Sequence, residues 1–486
     1  MSAAVHRYLL IAIAGLPLGA SLILAVLAWW GRRWAERTIS TVVTLAFGLA
    51  TVSALVLAGV MACGGERVLT VSAGTWSSPG EYRFDLLLVG DRLSISFAVL
   101  TALLACLIGV FSQRYLHREP GYLRFYLLLT LFGAGVEVVA LAGDLDLLFV
   151  GWELAGLTSA LLISFFHERR KPVEHALRAF LTYRACDVGL LAAVVWLHHT
   201  TGTSTAGGTP GGGGWAGFAA PAATGDAVLI GVLLLWASMG KAAQVPLGGW
   251  LPRAMEGPTP SSAIFYGAIS VSLGPYLLLR TESIWTGAPA VRIAIVVVGA
   301  LTVVHVALVG RVQTDIKSAL AYASMTQVGL ILVEIGLGLR YLALAHLVAH
   351  AGLRSVQILR SPSLIHDYHH LERAMNRPLP RTGAHLERLV PGPVQGWLYR
   401  YALERGYFDA WLRDHVVGGF VRLVRRADAL DDRWAQRLSA GRARRTPART
   451  GLADRREAVA AGRGGSPSTW RKGGGSPGTR RKGQES

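Results

Sequence analysis

Ionisable side chains recur in long apolar runs, and their types complement one another. Glu153 lies in "LDLLFVGWELAGLTSALLISFF" and Asp187 in "YRACDVGLLAAVVW", with Arg184 one turn before it. Lys241 closes the apolar run "DAVLIGVLLLWASMG", and Lys317 follows Asp315 in "GRVQTDIKSALAYASMTQVG". His346, His350 and Arg354 recur every four residues in "ALAHLVAHAGLRSVQIL" and so share one face of a helix. Glu137 and Glu334 also have apolar neighbours. An ionisable group at the bilayer centre costs about 2.5 to 3.5 kcal/mol on insertion scales, so each is a functional candidate. Acids, lysines and histidines on successive spans are what a hydrated proton path requires, because burial and neighbours bring their pKa values toward neutrality. Plainer readings stand beside this one. Asp187 pairs with Arg184 near a surface, Lys317 is an interfacial anchor beside Asp315, and the histidines are satisfied polar core residues.

The stretch "GKAAQVPLGGWLPRAMEGPTP" places Lys241, Gln244 and Pro246 directly after an apolar run. A proline removes a helical hydrogen bond and clashes with the preceding turn, and in lipid the freed carbonyls must find partners or line a wet cavity. A span that breaks beside a lysine is a transporter feature, since the interruption leaves polar backbone ends around an ion site. The alternative is that Lys241 to Pro246 is only the end of the seventh helix.

These residues need membrane helices to position them. Of 486 residues, 52% are hydrophobic and 16% charged, against about a quarter charged in a soluble domain. Stretches of roughly 20 residues, enough to cross a bilayer, number about eleven: 9–30, 40–62, 93–111, 122–142, 145–166, 176–198, 227–243, 262–279, 291–310, 318–337 and 341–359. The expected fold is therefore an all-α polytopic membrane protein, with the first run a retained span and not a signal peptide. The odd-numbered connections, "GRRWAER", "SQRYLHREPGYLR" and "HERRKPVEHALR" among them, carry the Lys/Arg bias of cytoplasmic loops. That bias places the N-terminus outside and the C-terminal region in the cytoplasm, the location being a cell membrane.

Residues 1–92 form an N-terminal two-span region with a loop, 93–360 the membrane core, 361–440 an amphipathic segment and 441–486 a basic tail. Within 394–434 charges alternate with aromatics at helical spacing, which suits helices lying on a membrane or partner; a short terminal span is the other reading. The tail has twelve Arg/Lys against three acids and too little apolar content to fold. The membrane surface is its expected neighbour, and nucleic acid is not an expected partner. Cys63, Cys106 and Cys186 show no disulfide, zinc or iron-sulfur spacing, so no metal and no cofactor is expected in this chain.

The segments "LLFVGWELAGLTSALLISFF", "GKAAQVPLGGWLPRAMEGPTPSSA", "VQTDIKSALAYASMTQVG" and "HLVAHAGLRSVQIL" resemble, in order, those of the antiporter-like proton-conducting subunits of respiratory complex I, in particular the subunit L type. The large subunits of multisubunit sodium/proton antiporters share that core. The similarity runs over about residues 90 to 370. It implies inverted five-helix repeats, each with a broken helix, and a line of charged residues coupled to redox chemistry in other subunits. Carried over, Glu153 is the fifth-helix glutamate that pairs with the lysine of the broken seventh, Lys241. Asp187 matches an acid of the sixth helix, Lys317 the central relay lysine, and His346 and His350 the histidines of the eleventh.

Three departures stand out. Tyr266 stands where a histidine is usual, and with a reference pKa near 10 it carries protons poorly at neutral pH. Arg354 replaces a lysine and stays charged, so it biases neighbours without exchanging a proton. The second broken helix should follow the eleventh span, yet the sequence passes from "SLIHDYHHLERAMN" to "ALERGYFDAWLRDHVVGGFVRLVRR". One complete repeat and three helices of a second are thus expected. The leading expectation is a membrane subunit of a proton-translocating NADH-quinone oxidoreductase, a translocase component without its own redox centre, alongside other membrane subunits in the bilayer. Its rivals are a secondary cation/proton antiporter or ion-coupled uptake subunit, and a non-conducting membrane scaffold.

Overall fold

In a computed structural model of the chain, the structure describes residues 3–31, 34–64, 67–77, 84–210, 215–361, 373, 375 and 391–443. Eleven helices among them are long and apolar enough to cross a membrane. They are α1 (Ala3–Trp29), α2 (Glu36–Gly64), α3 (Arg92–Tyr115), α4 (Tyr122–Leu141), α5 (Leu145–Ile163), α6 (Arg170–Thr201) and α7 (Thr224–Lys241). After α7 come α8 (Thr259–Arg280), α9 (Pro289–Gly310), α10 (Ile316–Gly336) and α11 (Arg340–Leu359). Each expected span is present, with ends shifted by a few residues because polar end turns continue the helix past its apolar part.

Two antiparallel hairpins interrupt the helices: β1 (Val68–Ser77) with β2 (Phe84–Asp91), and β3 (Ala206–Pro210) with β4 (Ala216–Phe218). Bridges from Leu88 to Ala142 and from Asp144 to Thr205 put both hairpins and the α4–α5 connection on one side of the bundle. Helix starts follow from side-chain caps. Asp91 accepts from Ser94 N (2.8 Å) while Ser94 Oγ accepts from Asp91 N (2.7 Å), a capping box that opens α3. Asp144 opens α5 by accepting from Leu147 N at 2.6 Å.

Every residue of α8 is buried, as expected of a helix with no polar outer face. It is the central post of the bundle, and residues Ser262–Ile269 within it are π-helical. Around it, Leu49, Leu103, Leu181, Val195, Leu301 and Val304 are exposed, an apolar surface of the kind that lipid covers. Beyond α11, α12 (Gly392–Leu403) has 12 residues and is too short to span a bilayer. Taken by itself, α13 (Gly418–Ala443) carries Phe420, Leu423, Val424 and Leu430 among arginines and aspartates. The tail from 444 onward lies outside the described residues.

One fully buried ion pair ties the hairpin side together. Arg280, the last residue of α8, reaches both oxygens of Asp91 (2.6 and 3.1 Å), and Asp91 Oδ2 also accepts from Ala216 N (2.9 Å) in β4. Burial by itself would raise the Asp91 pKa, but the Arg280 charge and these hydrogen bonds outweigh it and hold the carboxyl below its ordinary 3.8. A depressed carboxylate stabilises the fold above its unfolded pKa, and that contribution is lost as pH falls through the folded value. Asp91→Asn is therefore expected to lower the melting temperature at pH 7, because an uncompensated buried guanidinium costs about 3 to 5 kcal/mol. The wild-type advantage over the variant should begin to shrink below about pH 4, where Asp91 of the unfolded chain takes up its proton, and fade further as pH falls toward the lower folded value. Melting curves of both proteins from pH 3 to 7 check this, and parallel curves at all pH values would contradict it.

Candidate functional site

The helix α7 stops at Lys241 inside the protein. Ala243 adopts a left-handed φ of +53°, and Pro246 follows in the turn, so the α-helical ladder cannot continue. The chain resumes as two 3-10 turns, Gly248–Trp250 and Pro252–Glu256, before α8. The backbone groups freed by the break are partnered: Ala242 N donates to Ser238 O (2.8 Å), Gln244 N to Met239 O (2.9 Å) and Val245 N to Thr302 Oγ1 (3.1 Å). Trp250 Nε1 donates to Gly240 O at 3.1 Å. The break is thus a built feature of the interior, with its polar ends satisfied as hydrocarbon demands.

The Lys241 ammonium is fully buried. Its Nζ donates to Trp152 O (3.0 Å) and lies over the rings of Trp152 (5.1 Å) and Tyr183 (4.8 Å), a cation–π environment that partly replaces water. A Cβ at position 156 would lie 2.4 Å from Nζ, so Gly156 is what admits the ammonium against α5. The Trp152 indole in turn donates to Asp187 Oδ1 at 2.5 Å. Arg184 donates to Asp187 Oδ2 (2.9 Å) and also pairs with Glu153. The result is one string across three helices: Glu153, Arg184, Asp187, Trp152, Lys241.

This arrangement differs from the direct Glu153–Lys241 pair that the resemblance implies. Arg184 stands between them and takes both carboxylates, while Lys241 forms no ion pair among the described residues. Arginine has the reach and the forked donors to bridge two acids one helix apart, which a lysine ammonium does less well. Tyr266, on the π-helical part of α8, donates to Ser159 O at 2.6 Å, and its ring meets Trp250 edge-on. Trp152, Tyr183 and Trp250 were not singled out in the sequence. Trp152 and Tyr183 directly precede Glu153 and Arg184, the one signal that could have marked them.

A second cluster sits on α10 and α11. His346 places Nδ1 2.8 Å from Glu334 Oε1 and Nε2 3.0 Å from Gln327 Oε1. One turn on, His350 is buried and neither ring nitrogen has a hydrogen-bond partner among the described residues. Arg354, also buried, donates to Gln357 Oε1 (2.8 Å) and lies against Gly267 of α8. Neighbouring α8 residues therefore face the two clusters, Tyr266 toward α5 and Gly267 toward Arg354. Asp315 serves as N-cap of α10, accepting from Ser318 N at 2.7 Å. Lys317 is partly exposed on the first turn of α10, without an ion pair among the described residues, and is joined to neither cluster. Glu137 is buried in α4, and neither of its oxygens has a partner among the described residues.

Eleven spans, one of them the buried post α8, with an ammonium, a guanidinium and two carboxylates in the interior, define a polytopic membrane protein with an ionisable core. Residues 142–377 match the family described as NADH:quinone oxidoreductase/Mrp antiporter, TM, and residues 76–126 match the N-terminal part of NADH-ubiquinone oxidoreductase (complex I) chain 5. The chain belongs to this family of membrane subunits. It is 36% identical over 380 residues to NADH-quinone oxidoreductase subunit L of Mycobacterium tuberculosis, covering 76% of this chain and 57% of the relative. Subunit L of Escherichia coli K12 is 34% identical over 354 residues, 71% of this chain and 56% of the relative. The chain thus spans a little over half the length of these relatives. Among solved structures, the Mrp complex from Dietzia sp. DQ12-45-1b superposes with a TM-score of 0.62 at 27% identity over 72% of this chain and 37% of that one. An archaeal membrane-bound sulfane sulfur reductase shares the fold, with a TM-score of 0.59 at 20% identity over 73% of this chain and 70% of that one.

Because Arg184 is the one cation paired with Glu153 and Asp187 among the described residues, Arg184→Ala is expected to lower the melting temperature by several degrees. Adding Glu153→Gln and Asp187→Asn to Arg184→Ala should recover most of that loss, since the string then holds no unpaired carboxylate. Thermal unfolding of the purified variants reads this out, and strictly additive losses would show that the three groups do not act as a unit.

Proposed function

We propose that the chain is a proton-conducting membrane subunit of a NADH-quinone oxidoreductase-type assembly, with redox chemistry confined to other subunits and no cofactor of its own. The observation that carries this reading is Lys241: a buried ammonium at the end of a helix broken inside the bundle, one indole away from a carboxylate pair held by Arg184. Lys241 is the exchangeable site. While Arg184 holds Asp187 and Glu153, the ammonium has a carbonyl and two rings as its near partners among the described residues, and this is the state in which it passes its proton on. When Arg184 swings away, the freed carboxylates draw a proton back onto the amine. Arg184 is thus a charge that biases the lysine without itself exchanging a proton.

Proton passage continues from Lys241 toward Lys317, Glu334, His346 and His350, with Tyr266, Asp315, Arg354 and Glu137 in support and Pro246 fixing the break. In this reading α4–α8 form a complete five-helix repeat and α9–α11 part of an inverted second one. The Lys/Arg bias of the odd connections supports a cytoplasmic side there, with the N-terminus outside. Other membrane subunits of the assembly and the lipid bilayer are the partners, and nucleic acid is not. The likeness to the Mrp complex favours a second reading, a cation/proton antiporter subunit without redox coupling.

Vesicles holding the chain in its native assembly are expected to take up protons on addition of NADH, and Lys241→Ala to abolish at least nine-tenths of the uptake due to this subunit. Equal uptake by wild type and variant would sink the lysine assignment. Uptake driven by a sodium gradient and not by NADH would favour the antiporter reading, and no uptake by the wild type in either case would favour a scaffold.

A further inference from the structure

The end of α12 and the segment after it meet the bundle at three elements. Tyr401 Oη lies 2.9 Å from His305 Nδ1 of α9, and the Phe408 ring packs edge-on against His305 at 5.0 Å. Between them Arg405, Gly406 and Tyr407 all take left-handed backbone angles, with φ of +52°, +66° and +59°. Two of these are not glycine, and such a run persists only where its surroundings over-determine it. Gly406 is doubly constrained, since a Cβ there would lie 2.7 Å from His305 and 2.9 Å from Tyr401.

The turn delivers the Asp409 carboxylate between two arginines. Arg178 of α6 pairs with Oδ1, and Arg253 Nη1 lies 2.7 Å from Oδ2. Burial would raise the Asp409 pKa, but Arg253 and Arg178 together hold it below its ordinary value. Arg253 belongs to the broken segment after Lys241, and its Nη1 also donates to Gly249 O at 2.9 Å. A Cβ at position 249 would lie 2.2 Å from Asp409 Oδ1, so the carboxylate occupies a seat that only glycine leaves open. The next residue, Trp250, bonds Gly240 O and packs edge-on against Tyr183 at 4.9 Å, and Tyr183 lies beneath the Lys241 ammonium. A contiguous path of contacts thus leads from Asp409 through Arg253, Gly249 and Trp250 to Lys241.

We propose that Asp409 is a positioning residue for the intramembrane lysine: its carboxylate clasps Arg178 to Arg253, and so pins the broken segment that holds Lys241 against Trp152 and Tyr183. The inference rests on the conducting role of Lys241, but the clasp has a readout of its own. Cys186 on α6 is buried with its Sγ against Gly240, next to Lys241, while Cys63 is exposed and Cys106 partly so. With Cys63→Ser and Cys106→Ser in the full chain, Cys186 becomes the single reporter of how tightly the break is closed.

Reaction with N-ethylmaleimide, followed by mass spectrometry, is expected to be slow in this background and at least ten-fold faster after Asp409→Ala, with elution and melting showing the variant folded. Asp409→Glu should restore slow labelling. Gly249→Ala, which evicts the carboxylate without removing it, should speed labelling as Asp409→Ala does. Proton uptake should fall in the two fast-labelling variants and recover in Asp409→Glu. Unchanged labelling in folded Asp409→Ala and Gly249→Ala overturns the clasp whatever the uptake. Fast labelling combined with a wild type that takes up no protons upholds the clasp and instead overturns the conducting reading.

Discussion

A charged ammonium held away from water sets the terms for everything around Lys241. Its desolvation is tolerable only because the surrounding helices supply polar and polarisable groups in place of water. One is a backbone carbonyl of α5, made reachable by the absence of a side chain at Gly156. Two aromatic faces, Trp152 and Tyr183, add diffuse negative charge. The same demand explains why α7 stops where it does. A continuous helix would carry Lys241 past with its own backbone groups already paired, whereas the turn at Ala243 and Pro246 lets Trp250 close back on Gly240 and complete the chamber.

The carboxylates follow a different logic. Asp187 and Glu153, on adjacent helices in the interior, call for a cation between them. Arg184 fills that role, leaving Lys241 coupled to the acids through the Trp152 indole and not through a direct contact. In the proposed function, placing a permanently charged group between acid and lysine separates the element that holds charge from the element that exchanges it. The Asp91–Arg280 pair at the hairpin side is the static counterpart: fully buried, doubly bonded and remote from the chamber, it fixes the start of α3 to the end of α8.

Most of the helical framework was legible in the sequence, because hydropathy over some twenty residues is a local property and the bilayer imposes the length. The break after Lys241 was legible for the same reason, since Pro246 acts on its own turn. What was not legible depends on partners far apart in the chain. Glu153, Arg184 and Lys241 each stood out as intramembrane charges, but which acid meets which cation is decided by helix packing. Asp409 shows the limit most plainly. Nothing in "ERGYFDAW" points to Arg178 or Arg253, and the seat that receives the carboxylate exists only because a glycine 160 positions earlier leaves it empty. Lys317 illustrates the converse: its motif fits the resemblance, yet its place on the first turn of α10 leaves it partly exposed.

The π-helical stretch Ser262–Ile269 lets two adjacent residues of α8 serve opposite neighbours, Tyr266 bonding α5 and Gly267 making room for Arg354 of α11. Bonding from i to i+5 fits more chain into each turn than an α-helix does. The central post therefore holds a small reserve of backbone within its length. Tightening that stretch to α-helical geometry would rotate one half of α8 against the other and turn one cluster relative to its partner. A buried helix has little room to bend or slide, but a change of winding gives it a way to transmit torsion along its own axis.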